Sequence, residues 1–150
     1  MKPIFPALLA LSIVGTAAPA FAVSPVIRGI SPVGAQRGTE VTVTITGQRL
    51  QDARELLFYQ PGITVKELKG AKDAEFTAVL KIAPDAQLGL HEFRVVTATG
   101  ITSLRTFSVG SLKEIEEKEP NNDFAKPQKI TKNVVINGVA NSEDIDYYEI

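Results

Sequence analysis

The chain has 150 residues, 44% of them hydrophobic, and its 16 Lys+Arg against 17 Asp+Glu give a formal charge of -1. That balance excludes the basic footprint of a nucleic-acid or anionic-membrane surface. The lack of cysteine excludes disulfides and thiolate metal sites, and the single histidine leaves little for an imidazole-based zinc centre.

Residues 1–22 read as an export signal. Lys2 supplies a positive start, Ile4 to Val14 an apolar stretch broken by Pro6 and Ser12, and Ala20-Phe21-Ala22 a small-x-small cleavage site. A membrane-spanning helix needs about 20 apolar residues, and this run is closed early by Gly15, Thr16 and Pro19. Cleavage after Ala22 makes Val23 the first mature residue and leaves no transmembrane span. Loss of Lys2 then shifts the formal charge from -1 to -2. The expected location is periplasmic or extracellular.

From Val26 to Val109 short β-rich runs alternate with turn residues. Glu40 to Thr46 is the clearest strand, with Val41, Val43 and Ile45 facing one way and three threonines the other, the period of two of a half-buried strand. Phe76 to Ile82 alternates in the same manner. Phe93–Thr97 and Ile101–Val109 form a further pair around the turn Ala98-Thr99-Gly100, and weaker strands are expected at Val26–Ile30, Glu55–Tyr59 and Ile63–Leu68. Gly38, Gly47, Pro61-Gly62, Gly70, Pro84-Asp85 and Gly89 punctuate them at the spacing of an antiparallel sandwich. Gly38 and Gly47 are expected to supply positive φ at the strand ends. The fold class is all-β, an immunoglobulin-like antiparallel sandwich.

Composition changes at Ser111. Residues 111–118, with Lys113 and Glu114 through Glu117, are charged and poor in apolar side chains, and read as a linker. A second block spans residues 119–150, with a strand-like run from Asn133 to Val139, an acidic turn from Ser142 to Asp146, and Tyr147 to Ile150. Some 30 residues are too few to enclose a core, so this block is expected to be an incomplete second sandwich and the chain a fragment of a longer protein.

Glu117, Glu119 and Asn121 lie two apart, and Pro120 biases Glu119 toward an extended conformation, so three oxygen-bearing side chains line one edge. Calcium takes six to eight such oxygens. Glu143, Asp144 and Asp146 would close the shell if the second block folds back. On spacing alone, a solvated acidic segment with a loose turn accounts for the same residues.

Two stretches resemble known families. Ile27, Ile30 and Pro32, a glycine-containing turn, and a strand ending Thr46-Gly47-Gln48-Arg49-Leu50 resemble the opening of an IPT/TIG domain, an immunoglobulin-like fold. Ile82-Ala83-Pro84, Gly89, the stretch Val96 to Gly100, and Phe107 fit the remainder, so the likeness covers Pro25 to about Val109 and the expected domain residues 23–110; Arg37-Gly38 stands where the family often has Gly-Gly. Glu117 to Asp123 followed by Asp144-Ile145-Asp146-Tyr147-Tyr148 is similar to the start of a bacterial pre-peptidase C-terminal (PPC) domain, a small sandwich found beside secreted proteases. That second resemblance implies calcium ligands at Glu117, Glu119, Asn121, Asn122, Glu143 and Asp146. Asn122 and Glu143 depart from it, standing where aspartate is the stronger choice.

No catalytic residues are expected. Nucleophilic catalysis needs a base beside the nucleophile, and His91, at the start of a predicted strand, reads as a surface or strand-edge residue. Phe58, Tyr59 and Phe76 are candidates for a binding face, each equally placed to be core. The reading is a secreted, non-catalytic interaction or scaffolding module for an extracellular protein or polysaccharide. The alternative is the non-catalytic N-terminal portion of a secreted protease or other hydrolase. Nucleic-acid binding, known for some TIG-type domains, is opposed by the export signal and the negative charge.

Overall fold

The computed structural model describes residues 24–139, 142 and 144–150; the expected export signal lies outside the described residues. The strands are β1 Val26–Ser31, β2 Gly34–Gln36, β3 Glu40–Gln48, β4 Ala53–Phe58, β5 Ile63–Lys69, β6 Glu75–Ile82, β7 Gly89–Thr97 and β8 Arg105–Gly110. They are followed by β9 Lys113–Glu116, β10 Gln128–Lys129, β11 Val134–Asn137 and β12 Tyr148–Glu149. The first eight build two four-stranded sheets, ordered β1-β3-β6-β5 and β2-β8-β7-β4. With β2 taken as the continuation of β1 on the opposite sheet, this is the strand order of a constant-type immunoglobulin sandwich.

Alternation in the sequence becomes register in the sheets. Across β3 and β6 the inward pairs are Val41 with Leu80, Val43 with Ala78 and Ile45 with Phe76. The facing sheet contributes Leu56 opposite Val95 and Phe58 opposite Phe93, with Phe107 on β8. Phe58 stacks tilted on Phe93 at 5.3 Å between ring centroids and meets Phe107 edge-on at 6.4 Å. Phe76, Phe93 and Phe107 are sealed from solvent, whereas Tyr59 stays exposed. Fully burying each such ring contributes about 1.5–3 kcal/mol, so these aromatics are the main anchors of the sandwich.

His91 is a correction to the expected surface position. Strand β7 starts at Gly89, four residues earlier than predicted, so His91 shares the inward side of β7 with Phe93 and Val95 and is 2% exposed. Its Nε2–H donates to the carbonyl of Gln87 at 2.7 Å, the tautomer fixed because a carbonyl only accepts.

Gly47 is a second correction. Gly38 has the expected positive φ of 81°, but Gly47 does not. Its need for glycine is steric: a Cβ there would run into the carbonyl oxygen of Val26 and approach Leu50 Cδ1 to 2.9 Å. Because the obstacle is paired backbone, Gly47→Ala is expected to pry β1 from β3 and cost about 1–3 kcal/mol. An unchanged urea midpoint would show that this end of the pairing is looser than described.

Residues 111–118, read as a linker, contain strand β9, which pairs in parallel with β11 from Lys113 opposite Val134 to Glu116 opposite Asn137. Charge did not prevent pairing because only backbone groups are needed, and Ile115 sits beside Ile136. Strands β10 and β12 form a second parallel pair. Phe124, Val139, Ile145 and Ile150 in this block remain exposed. Among the described residues no helix is long and apolar enough to cross a membrane.

Candidate metal centre

The site lies where the chain leaves β9 and where it enters β12. The amide of Glu117 donates to Asn137 O at 2.9 Å, and the amide of Tyr147 donates to Asn121 O at the same distance. These two bonds draw the acidic turn back onto the 117–121 segment. One carboxylate oxygen from each of Glu117, Glu119 and Asp146 then lies within 4.8 Å of the others. Oxygens sharing one calcium at about 2.3–2.6 Å are separated by no more than about 5 Å, so the spread fits a common ion. No ion pair with lysine or arginine neutralises these three among the described residues.

Asn121 supplies an independent pointer. It is 1% exposed; its Nδ2 donates to Glu117 Oε1 at 3.1 Å, and its backbone amide donates to Glu119 Oε2 at 3.1 Å. A flipped amide would set oxygen against the Glu117 carboxylate, so the orientation is fixed by charge. Asn121 Oδ1 is left buried without a partner, as is Asp146 Oδ1. An unpaired buried acceptor costs about 1–3 kcal/mol, and a cation would satisfy both atoms. The donor set is all hard oxygen, which suits calcium and magnesium rather than softer metals.

Of the six residues singled out from sequence, the structure brings together Glu117, Glu119, Asn121 and Asp146. Asn122 is exposed and donates instead to Asp144 Oδ1 at 2.5 Å; Glu143 lies outside the described residues. Two groups were missed. The Tyr148 hydroxyl donates to Glu117 Oε1, and the Val139 amide donates to Glu117 Oε2 at 3.0 Å. Tyr148 was legible in principle, since it stands two residues beyond Asp146 and alternate side chains of an extended segment emerge on the same side. The Val139 contact depends on the β9–β11 pairing and carried no sequence signal.

The electrostatics divide the carboxylates. Glu117 is held below the usual glutamate range, first by the Tyr148 hydrogen bond and then by the Val139 and Asn121 donors. Asp146 is pushed above the usual aspartate range by burial and by the neighbouring charges of Glu117, Asp144 and Glu119. Tyr148 rises to about 12, chiefly because its proton is shared with Glu117. The signs oppose. Asp146 contributes stability at low pH that is lost as pH rises through its folded-state value, whereas Glu117 contributes stability that is lost as pH falls through its own. A bound cation relieves the first without disturbing the second.

A groove of about 600 Å³ lies away from this cluster, between the free edges of β4 and β5, and Arg54, Glu55, Lys66 and Glu67 are among its lining residues.

No protein-family model matches the chain, and no curated protein matches it. Several solved structures are similar, among them these two. One is the crystal structure of the Lin-41 filamin domain, at 12% identity and a TM-score of 0.41, covering 57% of this chain and 90% of that one. The other is SGBP-B of the Bacteroides ovatus mixed-linkage glucan utilization locus, in complex with a mixed-linkage heptasaccharide. It is 20% identical with a TM-score of 0.34, and the match covers 53% of this chain and 24% of that one. The immunoglobulin-like assignment stands on the strand order of the two sheets.

Proposed function

We propose that this chain is an exported, non-catalytic binding or scaffolding module, an IPT/TIG-like sandwich followed by a PPC-like block that calcium clasps. The observation that carries the clasp is the convergence of Glu117, Glu119 and Asp146 beside a buried Asn121 that bonds to Glu117 and leaves its own Oδ1 unpartnered. Calcium would supply positive charge to a cluster that has none, and would tie the end of β9 to the start of β12. Burial of His91 in the sandwich supports the non-catalytic reading, because its Nε2 is already committed to Gln87. The partner class is an extracellular protein or polysaccharide.

The test is co-sedimentation of the full chain with fibrillar collagen and with insoluble glucans, in calcium and in chelator. Retention on one of these, weaker in chelator, is the expected result. Turnover of a peptide or glycoside substrate would sink the non-catalytic reading, and failure to sediment with any of them would sink the proposed partner class.

A second reading is favoured by exposed Phe124, Val139, Ile145 and Ile150. Apolar side chains beside two-stranded parallel pairs call for cover, because parallel sheets occur almost only with both faces buried. A larger sandwich at the front of a secreted hydrolase would provide it.

A further inference from the structure

We infer that Tyr148 is a positioning residue for the calcium site, pinning Glu117 so that its remaining acceptor capacity faces Glu119 and Asp146. The inference rests on the cation reading above and adds the group that shapes the site. A carboxylate offers about four acceptor positions. In Glu117 at least three are occupied: Oε1 takes the Tyr148 hydroxyl and Asn121 Nδ2, and Oε2 takes the Val139 amide, while the carboxyl of Asp146, itself a candidate ligand, also hydrogen-bonds to it. The donors come from three separate parts of the second block, and together they fix both oxygens of a side chain with three rotatable bonds.

The three donors are not equivalent. The Val139 donor is backbone and moves only with the chain. Asn121 is itself a candidate ligand through its free Oδ1. Tyr148 alone is a side chain that donates to Glu117 without competing for the ion. Its place on β12, paired to β10 through Gln128 opposite Tyr148, makes its position depend on the second block being assembled. All three donors therefore hold Glu117 only when β12 is docked, and outer-shell donors of this kind are worth about 10–100-fold in metal affinity.

Tyr148→Phe removes one oxygen and keeps the ring. Isothermal titration of the full chain is expected to show calcium binding weakened about 10-fold in Y148F, with Y147F unchanged. Europium lifetimes in H2O and D2O, excited directly, count the waters on the ion. The count is expected to rise by about one in Y148F as Glu117 lets go of the ion and water takes its place. A variant that merely lost stability would not gain that water. Wild-type binding with equal affinity and equal hydration in Y148F would overturn the positioning role and leave the cation site standing. No binding by the wild type at millimolar calcium would overturn the cation reading itself, and the positioning role with it. Should Y148F loosen the second block unaided, thermal midpoints in a Glu117→Ala background decide. A positioning role requires Y148F to cost nothing further there, and an additive loss would refute it.

Discussion

Phe93→Ala is expected to cost about 3–5 kcal/mol of unfolding free energy. Phe93 is sealed from solvent in the middle of β7, opposite Phe58 in register and stacked on it at 5.3 Å. Removing its ring leaves a void bounded by both sheets, and close-packed strands relax only partly into such a space. Domains of this size hold only about 5–15 kcal/mol in reserve. At about 4–8 °C per kcal/mol, the thermal midpoint should fall by at least about 12 °C. Phe58→Ala should cost less, because Phe58 is only half-buried at the outer strand. Equilibrium urea unfolding measures both variants. A Phe93→Ala loss under about 1 kcal/mol would mean that this ring is not part of the packed interior.

Calcium at a hundredfold excess over its dissociation constant is expected to stabilise the protein by about 2.7 kcal/mol, reversed by chelator. The gain should be local. Hydrogen exchange is expected to slow across residues 117–150, where the ligands and their donors lie, and to stay unchanged across the strands of the sandwich. Asp146→Asn should abolish the response, since Asp146 contributes an unpartnered buried oxygen and a carboxylate pressed by the neighbouring charges of Glu117, Asp144 and Glu119. Asn122→Ala is a useful contrast, because Asn122 is bonded to Asp144 rather than aimed at the cluster. Calcium that leaves exchange in 117–150 untouched would return the segment to a solvated acidic turn.

The sandwich was more legible than the site, for reasons visible in single residues. Val41, Val43 and Ile45 announce a strand because a period of two can bury only one side of it, and the observed register buries that side. His91 was misplaced because one polar residue at a strand end says nothing about which side it occupies until the strand's start is known. Strand β9 was hidden for a different reason: Glu114 and Glu116 look solvated, yet parallel pairing to β11 needs only their backbone. Gly47 showed that glycine was required, but positive φ and close approach leave the same mark on a sequence.

In the second block, spacing placed Glu117, Glu119 and Asn121 on one edge, and alternation of side chains is a local property that residue order controls. Which distant groups would meet that edge is not local. The Val139 amide and the Tyr148 hydroxyl reach Glu117 only because β11 lies along β9 and the turn folds back through the Tyr147–Asn121 bond. Residue order by itself therefore determined the all-β character, the inward faces of the long strands and the acidic nature of the junction, since each follows from backbone period and composition. Tertiary structure alone decided which carboxylates converge, which buried oxygens stay unpaired and which donors hold them. Those depend on contacts between segments more than twenty residues apart in the chain, where no short-range pattern reaches.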